Sequence, residues 1–594
     1  MIMYYKQNNE TNNCKNYKNK LQEIKASITN DYELFKKKSN ILSILRGISF
    51  LLIALSILLY FTIDLHFVFI ILTIICFIVL LIIHNHIDLI KKYYESYLHV
   101  ISNYERRIDG TYVGRKETTG LEFFENDKDF LKDLDIIGNN SLYQYLNICR
   151  THMGRKKLYD SLCNNDLGET LYKRQEAIKE LGENLEFCLN FEANNYRIED
   201  NVYFSKLNKV TLKGLHIILS LGIFLFITFV ILFILSGLDR VNPSFLIIPC
   251  IVQILNFFIF GNINKNALEE IKNINDVSSS IYDTLKLFKD IELKSEVLKT
   301  HLDNIIRGRK YVKKLTLISD FDSVRYNPLI GAIFNALVPF SVIISYLCMK
   351  TINNYSYDIT KGIESFEEFE MLVSLCVIKH TKECASLPKR SEEVSIACTN
   401  VLHPLLGESK CVGNDFDTKN GINVITGSNM SGKTSFMRTI GINIVLMNAG
   451  TYVNATSFSA SYLNLFTSMR ISDDITKGIS TFYAELLRIK KAIDCVKNNE
   501  KMLTLIDEVF SGTNSNDRIK GAISLMKMLD KPNSIVLITT HDFELCDIKD
   551  ENIINYHFSE YYENDKIKFN YKLEKGKCTT TNAIYLMKLV GIEE

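Results

Sequence analysis

The sequence predicts a multidomain chain, α plus α/β: two transmembrane helical hairpins, a helical core with lever helices, and a C-terminal α/β domain with a mainly parallel sheet. Three features point there. Two pairs of uncharged apolar runs stand in the first half, 47–63 with 67–83 and 217–235 with 245–260. Residues 262–398 are patterned as long helices. From 399 onward, strand-like and helix-like runs alternate, the pattern of parallel strands joined by crossover helices. A length of 594 residues allows about four units at roughly 150 residues each. With 47% apolar and 23% charged residues, a disordered or collagen-like chain is excluded. The balance of 69 Lys+Arg against 68 Asp+Glu excludes a uniformly basic nucleic-acid coat, though not a local basic surface. Fourteen Cys are scattered with no C-x-x-C pair, which argues against a zinc ribbon or a disulfide scaffold and for reduced thiols in a cytosolic setting. Trp is absent, and the richness in Asn, Ile and Lys reads as coding bias.

Residues 1–46 are polar and Lys-rich, unlike a signal peptide, and read as a basic cytosolic lead. Residues 47–83 form the first hairpin. Each run is about the minimum length for a hydrocarbon core of roughly 30 Å, and Asp64, Leu65 and His66 make a tight turn between them. Neither run has the polar face of a soluble helix. Residues 84–214 read as linker and helical core, and 215–261 as the second hairpin, whose weaker half holds Pro249, Gln253 and Asn256. Lys36, Lys37, Lys38 and Arg46 precede the first hairpin; Lys91, Lys92, Arg106 and Arg107 follow it. Lys206, Lys209, Lys213 and Lys265 bracket the second. This places the N-terminus and everything outside the hairpins in the cytoplasm of a multi-pass protein of the cell membrane. A further uncharged stretch, 328–349, holds Asn335 and Pro339. A fifth span there would put the C-terminal third outside, so it is expected to be a buried helix.

That C-terminal third, 399–594, carries the chemistry. A short apolar strand, 422–426, runs into Gly427-Ser-Asn-Met-Ser-Gly432-Lys433-Thr434, which matches G-x-x-x-x-G-K-[ST] in full, and a helix-like stretch follows. In this setting the loop residues Gly427, Ser428, Asn429, Met430, Ser431, Gly432, Lys433, Thr434 and Ser435 are candidate nucleotide-binding residues. Glycines let backbone N–H groups turn inward to cradle phosphate, and the helix N-terminus adds its positive dipole end. Lys433 would reach the β- and γ-phosphates of ATP, and the Thr434 hydroxyl would ligate Mg2+. A second apolar strand, 501–506, ends in Asp507-Glu508, placing Asp507 on Mg2+ through water and Glu508 on the attacking water. A third, 534–540, ends in His541-Asp542, so His541 is expected at the γ-phosphate or the water, the plainer alternative being a helix cap by Asp542. Between them, Gly478, Ser480 and Thr481 open a helix with Glu485 a turn later, either a plain N-cap or a phosphate donor for a neighbouring subunit.

Taken together, the segments 426–455, 467–489, 503–518 and 538–548 resemble the ATPase domain of the MutS mismatch-repair family. The ending at 571–592 resembles that family's closing strand and helix. Upstream, 133–164 and 171–181 look like the start of its helical core, and 310–400 with His403-Pro-Leu-Leu406 like its lever helices and the approach to the ATPase. The resemblance implies a homodimer with composite ATP sites, in which Asn429 and Lys433 lie on the phosphates, Asp507 and Glu508 on Mg2+ and water, Ser480 on the partner's nucleotide, and His541 acts as a switch. It also implies opening and closing around DNA, hence mismatched-DNA binding and a DNA-dependent ATPase. The sequence departs from the family where DNA is touched. About 120 N-terminal residues, much of them hairpin, cannot hold the mismatch-reading domain, and Phe123-Phe124-Glu125 only superficially echoes a base wedge. The second hairpin sits where the family inserts its clamp.

Two functions follow as expectations. One is a membrane-anchored MutS-like ATPase acting on DNA, mismatch-repair-like or on recombination intermediates, with Arg307, Arg309, Lys310, Lys313 and Lys314 as candidate phosphate contacts. The alternative is an ATP-driven membrane mechanoenzyme or scaffold that binds no DNA. A cassette-type transporter is disfavoured, because Lys477-Gly-Ile-Ser-Thr481 stands in place of an LSGGQ-like signature and the spans hold no charge.

Overall fold

The computed structural model describes residues 2–63, 67–115, 118–125, 128–198, 209–289, 291–322, 328–428, 430–469, 481–510, 514–563 and 566–577. The chain divides into two compact units: Met1–Ile148 with Lys156–Leu189 and Leu372–Glu594, and Cys149–Arg155 with Asn190–Met371.

The first unit opens with two long helices, α1 (Ile2–Ile63) and α2 (Val68–Asp109). No Pro or Gly interrupts residues 2–46, so the basic lead continues straight into the apolar run as one helix. The expected turn at 64–66 lies outside the described residues. Apolar side chains of the pair point outward, with Leu51 67% and Phe61 80% exposed. The seam between the helices carries small polar groups instead: Ser49 and Ser56 are buried, and Ser56 Oγ lies 3.3 Å from Thr73 Oγ1. α2 ends at Gly110, whose left-handed φ of 69° lets its N–H return to the Arg106 and Arg107 carbonyls.

Short helices follow: α3 (Phe130–Asp133), α4 (Leu142–Leu146), α5 (His152–Leu162), α6 (Thr170–Glu183) and α7 (Leu185–Asn195). In the second unit come α8 (Leu215–Gly237), α9 (Ile247–Ile263), α10 (Lys265–Leu285), α11 (Glu296–Asp322), α12 (Pro328–Leu337) and most of α13 (Phe340–Thr381). The polar residues of the second apolar pair have a structural use. Gln253 and Asn256 are buried, and their amides donate to the Gly222 and Ile218 carbonyls of α8 at 3.4 and 3.1 Å. By length and composition, Tyr17–Thr62, Val68–Asp109, Leu215–Gly237 and Pro243–Ile263 could each cross a bilayer.

The segment 328–349 corrects the sequence expectation of one buried helix. It holds α12 and the start of α13, bent by 91°. Pro339 is the cause, because the residue before a proline is steered out of the helical region. The break is stabilised by the Ser341 N–H donating to Asn335 Oδ1 at 3.0 Å. Asn335 is buried, but Ile333 is 61% exposed, so the outer face of α12 is open and apolar.

Strands begin before residue 399: β1 (Ala385–Ser386), β2 (Lys389–Arg390), β3 (Ser395–Val401), β4 (Asn414–Lys419), β5 (Gly421–Thr426), β6 (Val453–Asn454), β7 (Ser457–Ala460), β8 (Asn464–Ser468), β9 (Met502–Ile506), β10 (Ser534–Thr539), β11 (Ile553–Glu563) and β12 (Lys566–Lys575). The main sheet runs β12-β11-β5-β10-β9-β8, parallel throughout except for β11 with β12. β1 pairs with β6, and β2-β7-β3-β4 form a second sheet. Around the main sheet lie α14 (Lys433–Asn448), α15 (Thr481–Lys497) and α16 (Ser515–Leu529). β5, β9 and β10 are buried along their whole length, as expected of parallel strands covered on both faces. Ile422, Val424, Ile506, Val536 and Ile538 pack with Ile489 and Val496 of α15 and Leu525 and Leu529 of α16.

Candidate active site

β5 delivers the chain to Gly427 and α14 takes it away from Gly432, with left-handed φ values of 144° and 111°. A Cβ at Gly427 would lie 2.8 Å from the Phe558 carbonyl, so only glycine fits. Lys433 is buried at the first position of α14, and its Nζ donates to the Gly427 and Ser428 carbonyls at 2.8 and 2.9 Å. Ser431 is buried too, and its Oγ has no partner among the described residues, a hydroxyl held ready beside the helix N-terminus. Met430, with φ 68°, points outward and is 85% exposed. Ser435 lines a neighbouring cavity. Asn429 and Ser480 lie outside the described residues, as does the run 472–480.

The three strand ends converge. Thr434 Oγ1 donates to Asp507 Oδ2 at 2.7 Å, and Thr539 Oγ1 at the tip of β10 donates to Asp507 Oδ1 at 2.6 Å. The same Thr539 hydroxyl accepts the Glu508 N–H at 2.9 Å. Glu508 has a left-handed φ of 52°, an uncommon conformation for a side-chain-bearing residue and one that concentrates at functional sites. His541 Nε2 lies 3.2 Å from Glu508 Oε1, and both side chains are open to solvent. Asp542 stands at the N-cap position of a short 3-10 helix, Phe543–Asp547, but its side chain makes no capping bond. Its carboxylate accepts from Arg518 Nε and Nη2, both at 2.7 Å, and that pairing holds its pKa below the usual carboxylate range.

Several contributors carry no motif. Thr539 is one. Glu485, noted in the sequence a turn after Thr481, has another role: it is buried, its Oε1 accepts the Phe510 N–H at 3.0 Å, and burial raises its pKa. It pins the turn that follows Glu508 and offers nothing to a phosphate. Asp133 is buried and accepts from Thr467 Oγ1 at 2.7 Å and the Met469 N–H at 3.3 Å, anchoring the end of β8; burial raises its pKa. Arg438 of α14 pairs with Asp135 at 3.0 Å. Phe123 packs on Tyr159 at 5.7 Å and Lys132 lies 4.0 Å over Phe124, so both rings are half-buried against neighbouring side chains while Glu125 is exposed.

Beside the loop lies a cavity of about 300 Å³, walled by His403, Leu406, Phe436, Phe558 and Tyr571 and open toward Gly432 and Ser435. Burial pushes the His403 imidazole down to about 4, and its Nδ1 accepts the Leu405 N–H. The C-terminal end of α2 lies next to that wall: a Cβ on Gly110 would lie 2.6 Å from Gly407 Cα, one residue beyond Leu406. Beside that contact the buried Arg107 sits 4.1 Å over the Tyr112 ring and donates from Nε to the Tyr145 carbonyl at 2.9 Å. Lys382 Nζ donates to the Leu406 carbonyl at 2.8 Å, and burial pulls its pKa down to about 8.

A glycine loop between a buried parallel strand and a helix N-terminus, with an acid pair at a neighbouring strand's C-terminal end, defines a P-loop nucleotide-binding domain. Within that class, residues 423–594 match the family model for MutS domain V. The chain is similar to the DNA mismatch repair protein MutS of Leptospira interrogans, at 25% identity over 80% of this chain and 61% of that protein. It also resembles the proteins of that name from Clostridioides difficile, at 30% identity over 40% of this chain and 26% of the relative, and Streptococcus agalactiae, at 27% identity over 38% and 27%. The chain thus aligns with less than two thirds of the length of each.

Proposed function

We propose that this chain is a membrane-anchored MutS-like ATPase that binds and hydrolyses Mg-ATP. The observation that carries the reading is the clasp on Asp507 by Thr434 and Thr539, with the Glu508–His541 pair beside it. The donor set fits magnesium. Among the described residues no group of three or more His, Cys, Asp or Glu gathers at one point. Magnesium asks for less, one or two protein oxygens with water and substrate phosphate completing the shell. Thr434 and Asp507 would hold the ion, which when bound neutralises phosphate charge.

In hydrolysis, the loop N–H groups and Lys433 hold the β- and γ-phosphates, Lys433 exchanging its loop carbonyls for phosphate oxygens. Glu508 orients a water and takes its proton as the water oxygen bonds to the γ-phosphorus. The bond from that phosphorus to the bridging oxygen breaks, leaving ADP and phosphate. His541 holds Glu508 or the γ-phosphate. The 300 Å³ cavity is sized for the base. Asn429 would join the phosphate contacts, and Ser480 would reach the nucleotide of a second copy in a homodimer with composite sites.

The four apolar helices support anchoring in the cell membrane, with the N-terminus and the ATPase domain in the cytoplasm. DNA is the proposed coupled ligand, as the relatives' name suggests. On α11, Arg307, Lys310 and Lys314 share one exposed face at helical spacing, opposite buried Leu302, Ile305 and Val312. A second reading, an ATP-driven membrane machine without DNA, is favoured by the end of α2 lying next to the cavity wall. ATPase activity of the detergent-solubilised protein with duplex, mismatched, branched and no DNA decides between them. Stimulation with salt-dependent binding supports DNA coupling, and stimulation by lipid alone supports the second reading. Failure to take up Mg-nucleotide, or full solubility without detergent, overturns the proposal.

A further inference from the structure

One acidic side chain beside the phosphate loop belongs to no motif. β11 runs parallel to β5 as far as His557 opposite Thr426, and Glu560 follows three residues on, where the antiparallel pairing of β11 with β12 shifts register between Phe558 and Glu560. Glu560 is only 7% exposed, and its Oε2 accepts from Ser428 Oγ at 2.5 Å. Its Oε1 is buried with no partner among the described residues. The carbonyl of the same Ser428 accepts from Lys433 Nζ at 2.9 Å. Glu560, Ser428 and Lys433 therefore form one chain of contacts, with a carboxylate at one end and the phosphate-gripping lysine at the other.

We propose that Glu560 is a positioning residue that holds the phosphate loop through Ser428 and whose charge weakens the grip on the nucleotide. The proposal rests on the nucleotide reading above. The loop N–H groups, the helix dipole and Lys433 all attract anions. A buried carboxylate one residue away opposes them, in surroundings where water screens poorly. Its half-satisfied state fits this role, since a purely structural acid would have both oxygens paired. The consequence is faster release of a polyanionic product.

The test uses the full chain in detergent. E560Q keeps an acceptor for Ser428 and removes the charge. KM for ATP and Kd for ADP should both fall by about three- to tenfold, with kcat within twofold, and the gain should shrink as salt is raised. S428A removes the hydrogen bond and keeps the charge, so it should not tighten binding. E560S removes the charge with a smaller side chain, carries the same expectation as E560Q, and stands in for it if E560Q does not fold. Unchanged or weaker nucleotide affinity in the charge-removing variant, with wild type binding normally, overturns the proposal. Absence of binding in wild type would instead sink the nucleotide reading itself.

Discussion

Thr434 and Asp507, 73 residues apart in sequence, are joined by a 2.7 Å hydrogen bond from the threonine hydroxyl to Oδ2 of the aspartate. The bond ties the first turn of α14 to the tip of β9. It puts two hard oxygen ligands side by side, where a divalent ion and a phosphate chain would meet.

Replacing either partner should therefore uncouple magnesium from the nucleotide. In D507N and T434A, Mg-dependent turnover should fall by about a hundredfold or more, because Lewis-acid charge stabilisation is lost. Metal-free nucleotide binding should survive, because the loop N–H groups and Lys433 are intact. Phosphate release and nucleotide fluorescence measured with and without EDTA separate the two effects.

Glu508 and His541 face each other at 3.2 Å in the open mouth of the site. E508Q should cut hydrolysis by roughly 10²- to 10⁴-fold, the usual worth of a positioned general base, while ATP remains bound. H541A should lower kcat less, since it removes only the partner of Glu508. Turnover at the wild-type rate in E508Q would remove Glu508 from the reaction.

Two histidines in the first unit, buried His380 and half-buried His403, predict acid sensitivity. Burial pulls both His380 and His403 down to about 4. In the unfolded chain each titrates near about 6.5, so below that pH the unfolded state binds protons that the folded state does not. Their stabilising contribution is complete above about 6.5 and is lost as pH falls toward 4, on the order of 3 kcal/mol for each. Thermal unfolding should shift downward between pH 6.5 and 5. H380Q, which keeps an N–H for the Gly182 carbonyl that His380 Nε2 contacts at 2.9 Å, should flatten the slope. A flat wild-type profile would contradict this.

Gly110 has no room for a side chain. G110A would force a Cβ to within 2.6 Å of Gly407 Cα and place a non-glycine residue at φ 69°. Overpacking and the left-handed backbone should together cost about 2–4 kcal/mol. The melting temperature should drop by several degrees, and KM for ATP should rise if the loop carrying Leu406 is displaced. An unchanged melting temperature would mean that α2 does not bear on that loop.

Much of this architecture was legible from short patterns. The apolar runs 422–426, 501–506 and 534–540 became β5, β9 and β10, since continuous burial on both faces leaves an uninterrupted hydrophobic signature. The phosphate loop was readable because its glycines are demanded by backbone geometry. Thr539 and Glu560 were not, because their roles come from strands brought together by the fold, and no spacing encodes that proximity; Glu485 stood in a readable helix opening, but its bond to the Phe510 N–H did not. The second sheet escaped for a similar reason: its strands are short and pair across long sequence gaps. The bend at Pro339 has a visible cause in the sequence, but a proline within an uncharged apolar stretch does not by itself tell a kinked helix from a broken one.

α2 has 42 residues with no glycine or proline, and at about 1.5 Å per residue it is a rod of roughly 63 Å. One end is grease; the other abuts the strand of chain that walls the cavity beside the phosphate loop. A helix without a proline or glycine has no built-in kink. Of all the routes from the greasy end to that cavity, this one is the straightest and has the fewest joints.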